Sequence, residues 1–151
     1  MSTKAIDLYK NYFNSCFQRA SRLACFDMKL RQILSAKLHG GTITQCDLHY
    51  EGSCGIGPDL LKAAGIVPLE KVSVLNVSTG ARLETYAIRA KKKGEISLNG
   101  AAARSAAAGD KVIILTFADV PENELLDHKA NIVILGAGNR VKSCRRDQPL
   151  I

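Results

Sequence analysis

The segment Leu48-His49-Tyr50-Glu51-Gly52-Ser53-Cys54-Gly55 sets a hydroxyl nucleophile directly after a glycine carbonyl. Ser53 Oγ can attack the carbonyl carbon of Gly52, its own peptide bond, if the backbone is held in a strained turn. Glycine suits that place because it has no Cβ and tolerates unusual backbone angles, and strain is stored at reactive sites. By itself, Gly-Ser in a loop is an ordinary turn. Two conventional alternatives fail. A serine-hydrolase elbow requires Gly-x-Ser-x-Gly, and Glu51 stands two residues before Ser53. His39, His49 and His128 offer no triad order. A phosphate loop is also excluded, since Gly55-Ile56-Gly57 lacks a third glycine and Leu60 takes its place.

The five cysteines, at 16, 25, 46, 54 and 144, form no C-x-x-C pair and no Cys/His cluster of zinc spacing. No metal is therefore expected, and the odd count reads as reduced thiols of a cytosolic protein. Cys54 neighbours Ser53 but reads as a small half-buried residue rather than a nucleophile.

The elements that must position these groups are short. Residues 3–26 place Ile6, Tyr9, Phe13, Cys16, Phe17, Ala20 and Leu23 at helical spacing. They predict an amphipathic helix, in an extension over 1–27 that docks on the body or on a neighbouring subunit; Met28 is an alternative start. Residues 42–48 read as a strand after Gly40-Gly41. Residues 58–64 read as a helix, with Pro58 near its first position and Gly65 as its stop. Strands are expected at 72–77, 82–89, 95–98, 111–117 and 131–135. Residues 101–108 read as an alanine-rich helix or small-residue turn, and 139–151 as a mobile basic tail. Many short strands joined by tight turns argue for a mainly β fold, a small barrel over 28–138.

Composition sets outer limits. A chain of 151 residues with 46% apolar and 23% charged residues has the size and balance of one globular domain. No run reaches the roughly 18 consecutive apolar residues of a membrane span, and the basic start lacks a signal-peptide core. Net charge is +7. Much of it lies toward the ends, and base-stacking aromatics are few, so neither nucleic acid nor membrane is expected as a partner. An uncleaved, small basic β-barrel binding module is the alternative reading.

Several ordered motifs carry a resemblance. They are Arg31-Gln32-Ile33-Leu34-Ser35-Ala36-Lys37-Leu38-His39, then Asp47 through Cys54, then Asn76-Val77-Ser78-Thr79-Gly80-Ala81-Arg82 with Thr85-Tyr86-Ala87-Ile88, then Asn99-Gly100-Ala101-Ala102-Ala103, then Gly109-Asp110-Lys111-Val112-Ile113-Ile114. In order and spacing the chain resembles the pyruvoyl-dependent aspartate 1-decarboxylases over residues 31–117. Leu75 departs from the pattern where an aromatic is expected, and Arg104 follows the alanine run where others vary. The resemblance implies a double-psi β-barrel, assembled as a homotetramer with sites between subunits. It implies cleavage between Gly52 and Ser53, a pyruvoyl group derived from Ser53 that forms a Schiff base with L-aspartate, and β-alanine as product for pantothenate synthesis. Tyr86 is then the proton donor and Thr85 a contact for the oxyanion and substrate. Arg82 and Lys37 would hold the two carboxylates, in either assignment, while Gly100, Ala101, Ala102 and Asn99 bind the substrate. His39 and Tyr50 would shape the site, and an accessory maturation factor is left open. Without the motifs, Thr85 is an ordinary strand residue, Arg82 a solvated surface cation and His39 a structural histidine. One conflict stands out: in a regular strand, Thr85 and Tyr86 point to opposite faces.

Overall fold

The computed structural model describes residues 29–149, so the helix expected within residues 3–26 lies outside the described residues. Alternation of branched aliphatic with polar residues builds the body. In Lys71–Asn76 (β4) and Lys111–Pro121 (β7), Val72, Val74, Val112 and Ile114 are buried while Lys71 and Lys111 are exposed. β7 lies antiparallel to β4 and to the long strand Leu30–Thr42 (β1). β1 also pairs in parallel with Ala130–Leu135 (β8), and Val141–Asp147 (β9) runs antiparallel along β8.

On its other edge β4 pairs with the first part of Arg82–Arg89 (β5), from Arg82 to Tyr86. From Ala87 onward β5 changes partner and runs parallel to Ser53–Ile56 (β3). β3 lies antiparallel to Ile96–Asn99 (β6), which pairs in parallel with Gln45–Asp47 (β2). The order is β2-β6-β3-β5-β4-β7-β1-β8-β9. Between β1 and β2 the chain crosses from the β7 side of this order to β6. Ile43 N–H donates to the Asp110 carbonyl at 2.9 Å, and Thr44 N–H to the Ile96 carbonyl at 2.7 Å. The Thr44 hydroxyl adds a further bond to the Ile96 carbonyl at 2.9 Å. This is the small, mainly β barrel expected.

All four residues of β3 and of β6 are buried, which places these strands in the middle of the molecule. One helix, Pro58–Ala64 (α1), covers the core with Leu60, Leu61 and Ala64. Pro58 starts it and Gly65, at φ 74°, stops it, with its N–H bonded to the Leu61 carbonyl at 2.9 Å. Leu38, Ile56, Leu60, Val72, Ile96, Leu98 and Ile114 are wholly buried in one cluster, each contributing about 1.5–3 kcal/mol by leaving water.

Three expectations change. Residues 42–48 are not one strand: β1 ends at Thr42, the crossover follows, and β2 spans only Gln45–Asp47. Gly40-Gly41 does not begin a strand but lies inside β1, where Gly40, at φ 77°, marks a register shift against β7. Of the two forms expected for the alanine-rich stretch, the small-residue turn is the one found, a 3-10 turn over Gly100–Ser105, and this is no change. The basic tail read over 139–151 contains an ordered strand, β9. Every side chain of β9 is exposed, so no hydrophobic alternation marks it; the ladder to β8 holds it, with a Cys144 thiol bond to the Ala63 carbonyl at 3.7 Å.

Asn139, at the start of that stretch, is 1% exposed and has φ 56°. Its side-chain oxygen accepts from Thr42 N–H at 2.7 Å, and its amide donates to the carbonyls of Thr42 at 2.8 Å and Gly94 at 2.7 Å. One side chain thus fastens the β8–β9 corner to the end of β1. Asn139→Ala should lower stability by about 2–4 kcal/mol, because it strands buried backbone groups. Chemical denaturation measures this, and a loss under half of the lower figure would show that the corner does not need the clasp.

Candidate active site

The processing segment enters the barrel at the start of β3. Gly52 and Ser53 both have positive φ, 108° and 113°. For serine this is a strained conformation, and the ladder between β3 and β6 enforces it. Ser53 faces Asn99 across that ladder. The Asn99 side-chain amide donates to Ser53 Oγ at 3.2 Å, and Ser53 is only 1% exposed. The nucleophilic oxygen is therefore oriented by one donor and shielded from water.

Ser53 lies in the wall of a cavity of about 280 Å3, with Gly52, Leu83, Glu84, Thr85, Tyr86, Asn99, Ala101, Ala102 and Ser105. Thr85 and Tyr86 both belong to this wall, despite their alternation. The pairing Cys54↔Ala87, carried back one residue, sets Ser53 level with Tyr86, where the β3 ladder on one edge of β5 gives way to the β4 ladder on the other. The cavity lies at this junction.

The 3-10 turn supplies the opposite wall. Asn76 fastens its end, donating to the Ser105 carbonyl at 3.2 Å and to Asp110 Oδ2 at 2.8 Å. The Ala107 N–H also donates to Asp110 Oδ2 at 2.9 Å. These bonds, the Ala107 amide first and then Asn76, hold the Asp110 carboxyl below its ordinary pKa. Glu84 is held below its ordinary range by Lys71, through a hydrogen bond and then its charge; their ion pair measures 2.7 Å. The cavity thus carries a carboxylate.

The remaining expected residues are elsewhere in this chain. Lys37 and His39 are on β1, separated from β5 by β4 and β7 in the strand order. Arg82 opens β5, is exposed and is not in the cavity wall. Tyr50 lines an adjoining cavity of about 320 Å3, which shares Asn99 with the first. Gly100 is buried behind Gly52. Leu83, Glu84 and Ser105 were not read as site residues; alternation along 82–86 around Thr85 was the only signal for the first two. Among the described residues no group of three metal-ligating side chains exists, and no helix is long and apolar enough to cross a membrane. His128 is engaged with the Leu34 carbonyl at 2.8 Å, far from Ser53 in the sheet.

A family model described as aspartate decarboxylase matches residues 28–142. The chain belongs to the aspartate decarboxylase family. Among curated relatives, the aspartate 1-decarboxylase of Ralstonia nicotianae is 54% identical over 116 residues, covering 76% of this chain and 97% of the relative. That of Hyphomonas neptunium is 53% identical over 111 residues, 73% of this chain and 94% of the relative. That of Bordetella avium is 50% identical over 117 residues, 77% of this chain and 96% of the relative.

Cys54, next to Ser53, is fully buried, and burial pushes its thiol up to about 12. A thiolate is the reactive form, so Cys54 should resist iodoacetamide in the native protein at pH 8 while the exposed Cys144 is modified. Peptide mapping by mass spectrometry reads this, and early alkylation at Cys54 would contradict the placement. Because unfolding restores a thiol pKa near 9.0, this group also makes stability fall as pH rises above that value.

Proposed function

We propose that the chain decarboxylates L-aspartate to β-alanine and CO2, as a cytoplasmic carboxy-lyase of pantothenate synthesis, after cutting itself between Gly52 and Ser53. Aspartate decarboxylation is the activity its family carries. The observation that carries the self-cleavage reading is the buried Ser53, at φ 113° after Gly52 at φ 108°, with the Asn99 amide on its Oγ.

In maturation, Ser53 Oγ bonds to the Gly52 carbonyl carbon and the Gly52–Ser53 C–N bond breaks. The hydroxyl proton passes to the freed nitrogen, leaving an ester. Loss of the Ser53 Cα proton then expels the Gly52 carboxylate, and water converts the remaining dehydroalanine to a pyruvoyl group with release of ammonia. Asn99 orients Oγ for the first step. The Thr85 hydroxyl, in the same wall, can stabilise the oxyanion.

The site suits that group: position 53 is at the cavity wall, between Asn99 and the small residues Ala101 and Ala102. Its ketone supplies an electron sink for the pair left when CO2 departs. The protein supplies the rest. Tyr86, in the cavity wall, delivers a proton to the substrate Cα. The backbone of Gly100, Ala101 and Ala102 offers amides to a carboxylate, because small side chains let it approach. Asn99 and Thr85 orient the bound amino acid.

Aspartate brings two carboxylates, yet the cavity wall of one chain holds no Lys or Arg and contains Glu84. This imbalance supports a site completed across a subunit interface, in the homotetramer, where Lys37 and Arg82 meet the carboxylates. His39 and Tyr50 shape the same interface.

Ser53→Ala should abolish both cleavage and β-alanine formation. Tyr86→Phe should still cleave itself, yet decarboxylate about 10²–10⁴-fold more slowly. Intact mass and β-alanine release decide both. An active, uncut Ser53→Ala protein would overturn the reading, and undiminished turnover by Tyr86→Phe would remove the tyrosine from its role.

A further inference from the structure

Gly52 does not stand alone at the end of the β3–β6 ladder. Carrying the register one residue past Ser53↔Asn99 sets it level with Gly100. Gly100 also has positive φ, 60°. A Cβ on Gly100 would lie 2.8 Å from Gly52 Cα, 2.9 Å from Gly52 N and 2.9 Å from the Tyr50 carbonyl oxygen. Non-bonded carbons settle at about 3.5–4.0 Å, so such a methyl forces a displacement. All three obstructing atoms are backbone of the processing segment, and no flexible side-chain end can give way. The crowding is one-sided, because a Cβ on Gly52 would meet nothing within 4 Å.

We propose that Gly100 is a positioning residue for self-cleavage. Its bare Cα lets the backbone of Tyr50 and Gly52 rest against the start of the 3-10 turn, and this contact holds the Gly52 carbonyl in register with Ser53 Oγ. The role is separate from any amide that Gly100 offers to substrate, since it acts before a cofactor exists. It rests on the self-cleaving reading above.

The reaction is sensitive to such placement: an error of about 1 Å in reacting atoms can cost a factor of about 10² in rate. The experiment follows the cut fraction of freshly refolded full-length protein by intact mass, with a thermal melt on each variant. Gly100→Ala introduces both the left-handed penalty and the obstructing methyl. Gly109→Ala is the control, because Gly109 has φ 97° but its added Cβ would meet nothing within 4 Å. Gly100→Asn keeps the obstruction in a residue that tolerates left-handed backbone better.

Both Gly100 variants should fold and cut themselves about ten- to a hundredfold more slowly than the parent, while Gly109→Ala cuts at the parent rate with a lowered melting temperature. A parent that cuts and Gly100 variants that cut equally fast would overturn the positioning role alone. Loss of the fold in both Gly100 variants would also overturn it, making Gly100 a folding residue. A parent that never cuts would instead remove the self-cleaving reading, and this role with it.

Discussion

Where the ladder between β3 and β6 ends, four backbone positions meet: Gly52 and Ser53 at the entry to one strand, Asn99 and Gly100 at the exit from the other. Three of the four have positive φ, and Ser53 is the one with a side chain to strain. Such a conformation persists only when its surroundings over-determine it. Here the surroundings are two strands buried along their whole length, a side-chain amide on the serine oxygen and a glycine that admits the opposing backbone. The stability of the barrel core thus maintains a local distortion that an isolated Gly-Ser turn would relax.

The cavity beside that distortion lies where β5 passes from one ladder to the other. β5 carries β4 on one edge over Arg82 to Tyr86 and β3 on the other from Ala87 onward, and Thr85 and Tyr86 both line the cavity where the two ladders meet, beside the serine. The 3-10 turn across the cavity is kept in place by the Asn76–Asp110 clasp. Scaffold and site are therefore joined through backbone hydrogen bonds more than through contacts between the site's own side chains.

Electrostatics divides the labour differently. Near Ser53 the groups are neutral or buried, and the adjacent thiol is kept protonated by burial. The carboxylate in the cavity wall, Glu84, is paired to Lys71 at the surface. The cations suited to a dicarboxylic substrate, Lys37 and Arg82, stand on other parts of the chain. At the far edge of the sheet, β9 is covered with charged and polar side chains, including Lys142, Arg145 and Arg146. Such an edge discourages further strand pairing.

Much of this was legible in the sequence. The Gly52-Ser53 pair, the helix between Pro58 and Gly65, and the strands with clear alternation announce themselves through local chemistry: nucleophile after carbonyl, fixed φ, left-handed stop, period two. Ordered motifs supplied the family, and with it the roles proposed for Thr85, Tyr86 and Asn99. Other features had no local signal. β1 hid behind Gly40-Gly41 because only its partner β7 turns that pair into a bulge, and β9 hid because its side chains bury nothing. The strain at Ser53, the union of Thr85 with Tyr86 and the contact of Gly100 with Gly52 arise from strands distant in sequence that share hydrogen bonds. The sequence determined which groups can react; pairing register, which is a property of two strands and not of one, decided which of them meet.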